Sequence, residues 1–522
     1  MKPQFPPRPI ASGLLLFFTA LFAFGLFAPR LGFYHDDWVF LEIASRGRGF
    51  WGVVQALART PGLWPRPVEI AQYALFYACG GLHPAPYHFL LVALAAVEGM
   101  LLFLLWKRLL GGHELALTAA CLTILMPNRS VLHVWFASSP AVVAQVLILA
   151  SLLCHMDWLA KGGWARLALS LTAYLLSVLC YESTAFMPFM LAAPVFLKAR
   201  QTRGRLAPAL ADTAAALGPF VAALGAALFW QWLGSAALTH HANPKSQVLA
   251  ISLSHIFKAY GAGFECLTNR LLHICWQSLG PAFSYLGLPL ILLLCVFAVA
   301  LAWLLTSEEA SSQATRSAPR AMPLALATAA GGFVAAYAPY ALSGSYMPQI
   351  YGIMSRTNGN GAWVAGLLLA LGLAVLRRRP RRVILAAMLA AFTATQWVGD
   401  RQWLQAWEKQ QDILSKVAPP AVALPPGSTV LLADAPHFVG YAVIFDAPYD
   451  FAAALRLATG RRDLDGKTRA ADIQPEAPAA TPIPGIRARR PAASRNLYIY
   501  SYGRNTLEPS GGPAAKPPTP RL

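Results

Sequence analysis

The chain has 522 residues, of which 57% are hydrophobic and 12% charged, and its mean hydropathy is +0.48. Soluble domains carry about 25% charged residues, so these values exclude a soluble globular enzyme, a disulfide scaffold and a disordered chain, and leave a polytopic membrane protein. The formal net charge of +19, from 42 Lys and Arg against 23 Asp and Glu, reads either as nucleic-acid binding or as the basic bias of cytoplasmic loops, and its placement decides between them.

A helical crossing needs roughly 20 apolar residues. Segments of that kind are predicted at 9–29, 87–106, 113–127, 131–154, 165–180, 183–198, 209–234, 283–305, 322–342, 360–376 and 382–398, which makes about eleven spans. The stretch 166–197 is too long for one crossing at roughly 1.5 Å per residue. It divides at Tyr181-Glu182, where an ionised Glu is least costly if it lies at an interface or cavity. With the N-terminus in the cytoplasm, the basic residues fall at alternate connections. These hold Lys2 and Arg8, Lys107-Arg108, Lys161, Lys198 to Arg205, Arg316 and Arg320, and the arginines from Arg377 to Arg382. That alternation orients the chain, weakens the nucleic-acid reading and puts the C-terminus outside. The Arg377–Arg382 run reads as a topology anchor, with nucleic acid or anionic lipid as the alternative.

The sequence thus divides into a membrane domain over 1–399, a small soluble α/β domain over 400–471 and a Pro/Ala/Arg-rich flexible tail over 472–522. Ser428–Ala433 is strand-like, Tyr449 to Gly460 reads as a helix closed by glycine, and Asn496–Ser501 is a further short strand. No CxxC pair occurs among the cysteines. Cys266 and Cys275 share a predicted outside loop in which a disulfide is allowed; the others read as small buried hydrophobes.

Chemistry concentrates in the first outside loop, 30–86. It begins Phe33-Tyr34-His35-Asp36-Asp37-Trp38, with two adjacent carboxylates among aromatics at the membrane surface. A partly dry setting raises carboxylate pKa values and suits a general base, and the pair also suits a divalent cation. The structural alternative is that Asp36 and Asp37 cap the helix starting at Trp38. Further along stand Trp64-Pro65-Arg66-Pro67 and Tyr87-His88. Arg66 is restricted by its flanking prolines, and a fixed guanidinium is a phosphate clamp. Asn128-Arg129-Ser130, Tyr181-Glu182 and Ser355-Arg356-Thr357-Asn358 are predicted on the same outer face. Asn128-Arg129-Ser130 matches a glycosylation sequon, but in a tight turn at the bilayer it reads as accidental. His240-His241 reads as solvated, and Glu98 and Asp212 as intramembrane acids with no evident partner. P-loop, GxSxG and HExxH motifs are absent.

Asp36-Asp37 directly after the first span, continued through Arg66-Pro67 and Tyr87-His88, resembles the GT-C superfamily of glycosyltransferases. The match is to bacterial members related to the protein O-mannosyltransferase and aminoarabinose-transferase branches. It covers roughly residues 9–200; beyond them only the multispan character is similar. The resemblance implies an all-α polytopic fold with a small α/β extracytoplasmic C-terminal domain, in a bacterial inner membrane. It implies transfer of a sugar, with inversion, from a polyprenyl-phosphate donor to an acceptor hydroxyl on a glycan, lipid or protein. Asp36 would be the base, and Asp37 would support it or help bind Mg or Mn. Arg66 and Arg356, with Arg129 behind them, would bind the donor phosphate, and His35, Trp38, Tyr181, Glu182, Tyr87 and His88 would contact substrate. Membrane lipids would be partners and nucleic acid would not. The competing readings are a lipid-linked-sugar transporter or flippase, an O-antigen ligase or polymerase whose key groups would sit in the later loop 235–282, and a non-enzymatic scaffold.

Overall fold

The computed structural model describes residues 8–60, 63–238, 252–306, 308–343, 346–468 and 496–510. Its helices are α1 (Arg8–Ala20), α2 (Asp36–Ala44), α3 (Gly49–Ala58), α4 (Pro67–Gly80), α5 (Pro84–Leu110), α6 (His113–Ile124), α7 (Ser139–Lys161), α8 (Trp164–Cys180), α9 (Ala192–Arg203), α10 (Leu206–Leu238), α11 (Leu253–Leu267), α12 (Asn269–Leu305), α13 (Glu308–Ala341), α14 (Gly359–Ala374), α15 (Arg378–Val422) and α16 (Pro448–Thr459). The strands are β1 (Thr429–Ala433), β2 (Phe438–Val439), β3 (Ala442–Val443), β4 (Asp465–Thr468), β5 (Leu497–Ser501) and β6 (Thr506–Pro509). Residues 1–31 with 47–401 form one compact unit, and 32–46 with 402–522 the other. The boundaries therefore fall within α15 and within the loop that the sequence assigns whole to the membrane domain.

The chain is a multi-pass membrane protein. Among the described residues, six helices are long and apolar enough to cross a bilayer: Pro84–Leu110, Phe136–Lys161, Leu206–Leu233, Asn269–Leu305, Met322–Ala341 and Arg378–Val422. The pair His113–Ile124 and Pro127–His133, bent by 66°, reads as a broken crossing, and α1, α3 and α8 are apolar but shorter. Segment 183–198 differs from the predicted span. It forms the 3-10 turns Glu182–Thr184 and Met187–Leu191, then α9; Pro188 starts the second turn and Pro194 lacks a donor, so no continuous ladder runs through it.

Small residues let the membrane helices approach closely. A Cβ at Gly366 of α14 would strike Thr123 and the Ala119 carbonyl of α6, and one at Gly361 would strike Tyr337 of α13. Around these contacts Trp106, Tyr174, Tyr337 and Trp363 are fully buried. The basic connections do local work as well. Arg378 Nε donates to the Thr306 carbonyl over 3.0 Å, Arg382 Nη2 to the same oxygen over 3.2 Å, and Arg381 pairs with Glu114 at 3.1 Å. Arg378 and Arg382 thereby satisfy the C-terminal end of α12, where orphan carbonyls favour cations.

In the second unit the sheet order is β4-β1-β5-β6, with β1 parallel to β4 and β5 and β6 antiparallel to β5. Helix α16 ends at Gly460, whose φ of 69° gives the left-handed cap that glycine adopts without strain. Strands β5 and β6 arise from the segment read as a flexible tail; residues 469–495 and 511–522 of that segment lie outside the described residues. The first-loop residues 32–46 are held by this unit. The Trp38 indole donates to Gln410 Oε1 over 3.1 Å and stacks on Trp407, and Tyr34 Oη donates to the Trp403 carbonyl over 2.9 Å.

Candidate functional site

The acidic pair separates into two chemical roles. Asp37 is fully buried and its Oδ2 accepts from the Tyr34 backbone N–H over 2.9 Å. It fixes the turn that leads into α2 but does not cap the helix, which begins at Asp36 rather than Trp38 and whose N-cap, His35, makes no side-chain cap bond. Asp36 keeps a side chain 36% exposed. His35, between Tyr34 and Asp36, has φ 49° and ψ −118°, a left-handed conformation that costs a non-glycine residue about 1–3 kcal/mol. The imidazole is held there from both sides. Nδ1 lies 3.0 Å from Asp36 Oδ1, and Nε2 lies 3.4 Å from Asp446 Oδ1 and 3.1 Å from Tyr449 Oη. Burial alone would lower the His35 pKa, but Asp36, Asp446 and Asp450 outweigh it and raise it to about 9. Asp450 in turn is pushed well above the usual carboxylate range by burial and by Asp446. The site in this unit is thus an imidazolium between carboxylates, with Asp36 as the accessible acid.

Asp446, Tyr449 and Asp450 are partners that the sequence reading missed. The signal available was Asp446-Ala-Pro-Tyr-Asp450, an acidic turn with proline at the first position of a helix.

The membrane unit carries a cationic and aromatic cluster. Arg66, the N-cap of α4, donates from Nε to Glu182 Oε1 over 2.9 Å and places Nη2 2.8 Å from Oε2. Its Nη1 reaches Glu69 at 3.3 Å, and its guanidinium lies 5.1 Å from the centroid of the Tyr181 ring. Burial opposes the Arg66 charge, but Glu182 and Glu69 more than offset it. Gln231 Nε2 donates to Glu182 Oε1 over 3.0 Å. Arg66 and Glu182 keep 30% and 35% of their side-chain surface, so the pair is open to a ligand. Arg356 packs its guanidinium 5.0 Å from the Trp135 ring and 5.5 Å from the Tyr346 ring. Tyr340, near the end of α13, lies within electrostatic reach of Tyr181, Glu182 and Arg356. Back along α13, an apolar groove of about 420 Å³ is lined by Phe186 and Phe189 and by residues of α13 from Ala330 to Ala338.

Other candidates are placed differently from expectation. Arg129 and Asn128 are fully buried in the 3-10 segment Pro127–His133, not in a surface turn. Arg129 is bound in fork geometry to Glu98, with Nη1–Oε1 2.7 Å and Nη2–Oε2 2.5 Å, so the proposed third phosphate ligand is instead the partner that Glu98 lacked in the sequence. Asp212 also has a partner, Arg203, at 2.9 Å. Tyr87 is buried and donates to the Gly81 carbonyl over 2.7 Å, and His88 is buried beside it in α5; neither presents a surface to substrate. Cys266 and Cys275 are free thiols. His240-His241 lies outside the described residues. Among the described residues no group of three or more His, Cys, Asp or Glu is placed to hold a metal ion. The donor set around Asp36 and Asp37 does not fit Mg or Mn: Asp37 is committed to a backbone N–H and the partner of Asp36 is a cationic imidazole.

No family model matches the chain. Over 134 residues it is 27% identical to the protein O-mannosyl-transferase Tmtc1 of Drosophila melanogaster, a stretch that is 26% of this chain and 16% of that protein. The chain thus matches about a sixth of the length of this curated relative. Among solved structures it is similar to ArnT from Cupriavidus metallidurans in the apo state, with TM-score 0.42, 13% identity and coverage of 88% of this chain and 84% of that one. The same enzyme bound to undecaprenyl phosphate gives TM-score 0.41, 11% identity and coverage of 88% and 85%. The curated relative is a protein O-mannosyl-transferase, one of the two branches that the first-loop motif resembles.

Proposed function

We propose that the protein is a GT-C glycosyltransferase that moves a sugar from a polyprenyl-phosphate donor to an acceptor hydroxyl on the outer face of a bacterial inner membrane. The observation that carries this reading is in the membrane unit, where Arg66 beside Glu182 and Arg356 beside Trp135 are partly exposed and an apolar groove lies along α13. That arrangement suits an anionic headgroup on a long apolar chain, with the prenyl tail against Phe186, Phe189 and α13 and the phosphate at Arg66 and Arg356. Departure of polyprenyl phosphate leaves negative charge on the leaving oxygen, and fixed guanidinium groups stabilise charge that develops there.

Asp36 takes the proton of the acceptor hydroxyl as its oxygen bonds to the anomeric carbon and the bond from that carbon to the phosphate oxygen breaks. Direct displacement inverts the anomeric centre. His35 and Asp37 orient this base, from one side by a charged contact and from the other by fixing the turn. No step is routed through a metal. Trp38, Tyr181 and Glu182 flank these groups in their own units. The acceptor class, a glycan, a lipid or a protein, follows from which envelope molecule loses a sugar when the protein is removed.

The test is transfer from a synthetic prenyl-phosphate sugar by the purified full-length protein in nanodiscs. Asp36→Asn is expected to reduce turnover at least about a hundredfold, the lower range for a lost general base, with normal membrane insertion. Full activity of Asp36→Asn would sink the assignment. A C-terminal reporter active only in the cytoplasm would overturn the proposed orientation.

A further inference from the structure

We infer that the buried Glu98–Arg129–Trp363 set is a positioning device for Arg356, an inference that rests on the phosphate-binding role given to Arg356 above. Glu98 of α5 is 2% exposed and Arg129 is fully buried. The fork between them is completed by Trp363 of α14, whose indole Nε1 donates to Glu98 Oε1 over 2.8 Å. A charged pair sealed inside a membrane domain is weak evidence for net stability, because desolvation offsets much of the attraction. What the set does is geometric. It holds the one segment of the broken crossing that is not regular helix, and Arg129 itself has non-helical φ −129° and ψ 18°.

The neighbouring peptide of that segment holds the turn that carries Arg356. The Asn128 carbonyl accepts from Asn358 Nδ2 over 3.0 Å, and the same amide donates to the Gln349 carbonyl over 2.6 Å. Tyr337 Oη donates to Asn358 Oδ1 over 3.0 Å, and Asn128 Nδ2 donates to the Cys266 carbonyl over 3.1 Å. Asn358 follows Arg356 by two residues in the 3-10 turn Gly352–Asn358. The platform under the Arg356 guanidinium, Trp135, stands two residues beyond the Pro127–His133 segment. Both the base of Arg356 and the ring on which it lies are therefore fixed to one segment, and that segment is fixed by Glu98 and Trp363. Displacement of Arg129 would move the base and the platform together.

Trp363→Phe removes only the indole N–H and keeps most of the packing; Arg129→Lys keeps the charge and loses the fork. In the full-length protein in nanodiscs, hydrogen exchange in Trp363→Phe is expected to rise at both 127–133 and 352–358 and to stay unchanged at 446–459. A rise confined to 127–133, or none in either variant, would overturn the coupling. In the transfer assay, Trp363→Phe is expected to lower kcat/KM about tenfold in the wild-type background and to add no loss in an Arg356→Lys background, where the planar stacking on Trp135 is already gone. The same tenfold loss in both backgrounds would mark a merely structural role. If the wild-type protein transfers no sugar, the functional reading falls and the exchange experiment alone decides the coupling.

Discussion

Two arginine–glutamate pairs in the membrane unit show how one chemistry serves different ends. Arg66–Glu182 and Arg129–Glu98 are both two-pronged, with contacts of 2.9 and 2.8 Å in the first and 2.7 and 2.5 Å in the second. The first keeps about a third of each side chain exposed, while the second keeps 0% and 3%. The first is also over-supplied with acceptors, because Glu69 stands 3.3 Å from the same guanidinium. An exposed fork can exchange a carboxylate for a phosphate at modest cost. A sealed one cannot, because its partner would be left charged in a dry interior. Solvent access, more than residue type, separates a ligand-binding arginine from a structural one.

The largest expected effect is on the sealed pair. Glu98→Ala strands Arg129 without a counter-charge, and breaking such a pair costs about 3–5 kcal/mol. Unfolding of the full-length protein in detergent, read by the loss of near-UV signal, should register it. A loss below about 1 kcal/mol would mean that water reaches Arg129 and would erase the contrast between the pairs.

For the open pair the pattern should invert. Arg66→Ala should cost under about 1 kcal/mol of stability, as for an exposed ion pair. Its effect should appear in turnover, about 10²–10³-fold for loss of a donor to developing negative charge. Arg66→Lys should recover part of that loss, since a point charge replaces the fork. Equal turnover in wild type and Arg66→Ala would remove this residue from the phosphate site.

The difference between the pairs was only partly legible in the sequence. Hydropathy located the six long apolar helices but not α2, α3, α4 or α11, and Gly460, Ser428–Ala433 and Asn496–Ser501 marked elements of the α/β unit by local turn and strand chemistry. Arg66 and Glu182 were readable because prolines and a break in hydropathy mark their positions. Arg129 was misplaced because Pro127 at the end of an apolar run reads as an exit from the membrane, whereas the chain turns inward and the side chain meets Glu98 across 31 positions. Division of the first loop between two units was also hidden, since it depends on Trp38 and Tyr34 meeting Gln410 and Trp403, more than 360 positions away. Long-range pairing of this kind leaves no local pattern.

A third ionic group sharpens the comparison because, unlike an arginine, it titrates. His35 has a folded pKa of about 9 against an ordinary 6.5. A pKa raised on folding stabilises the protein fully below the unfolded value, and the contribution is lost as pH rises through the folded value. The window here is therefore pH 6.5 to 9, and the shift is worth about 3 kcal/mol at most. The His35 side chain is 10% exposed, so bulk screening reduces this little. His35→Asn removes the charge. Hydrogen exchange at 446–459 should quicken in the wild type between pH 6.5 and 9, after correction for the intrinsic rate, and should show no such step in His35→Asn. A step in both proteins would assign the titration to Asp450 or another carboxyl. A step in neither would mean that Asp36 and Asp446 do not hold a charged imidazole, leaving His35 a neutral hydrogen-bonding group and Asp36 without its fixed cationic neighbour.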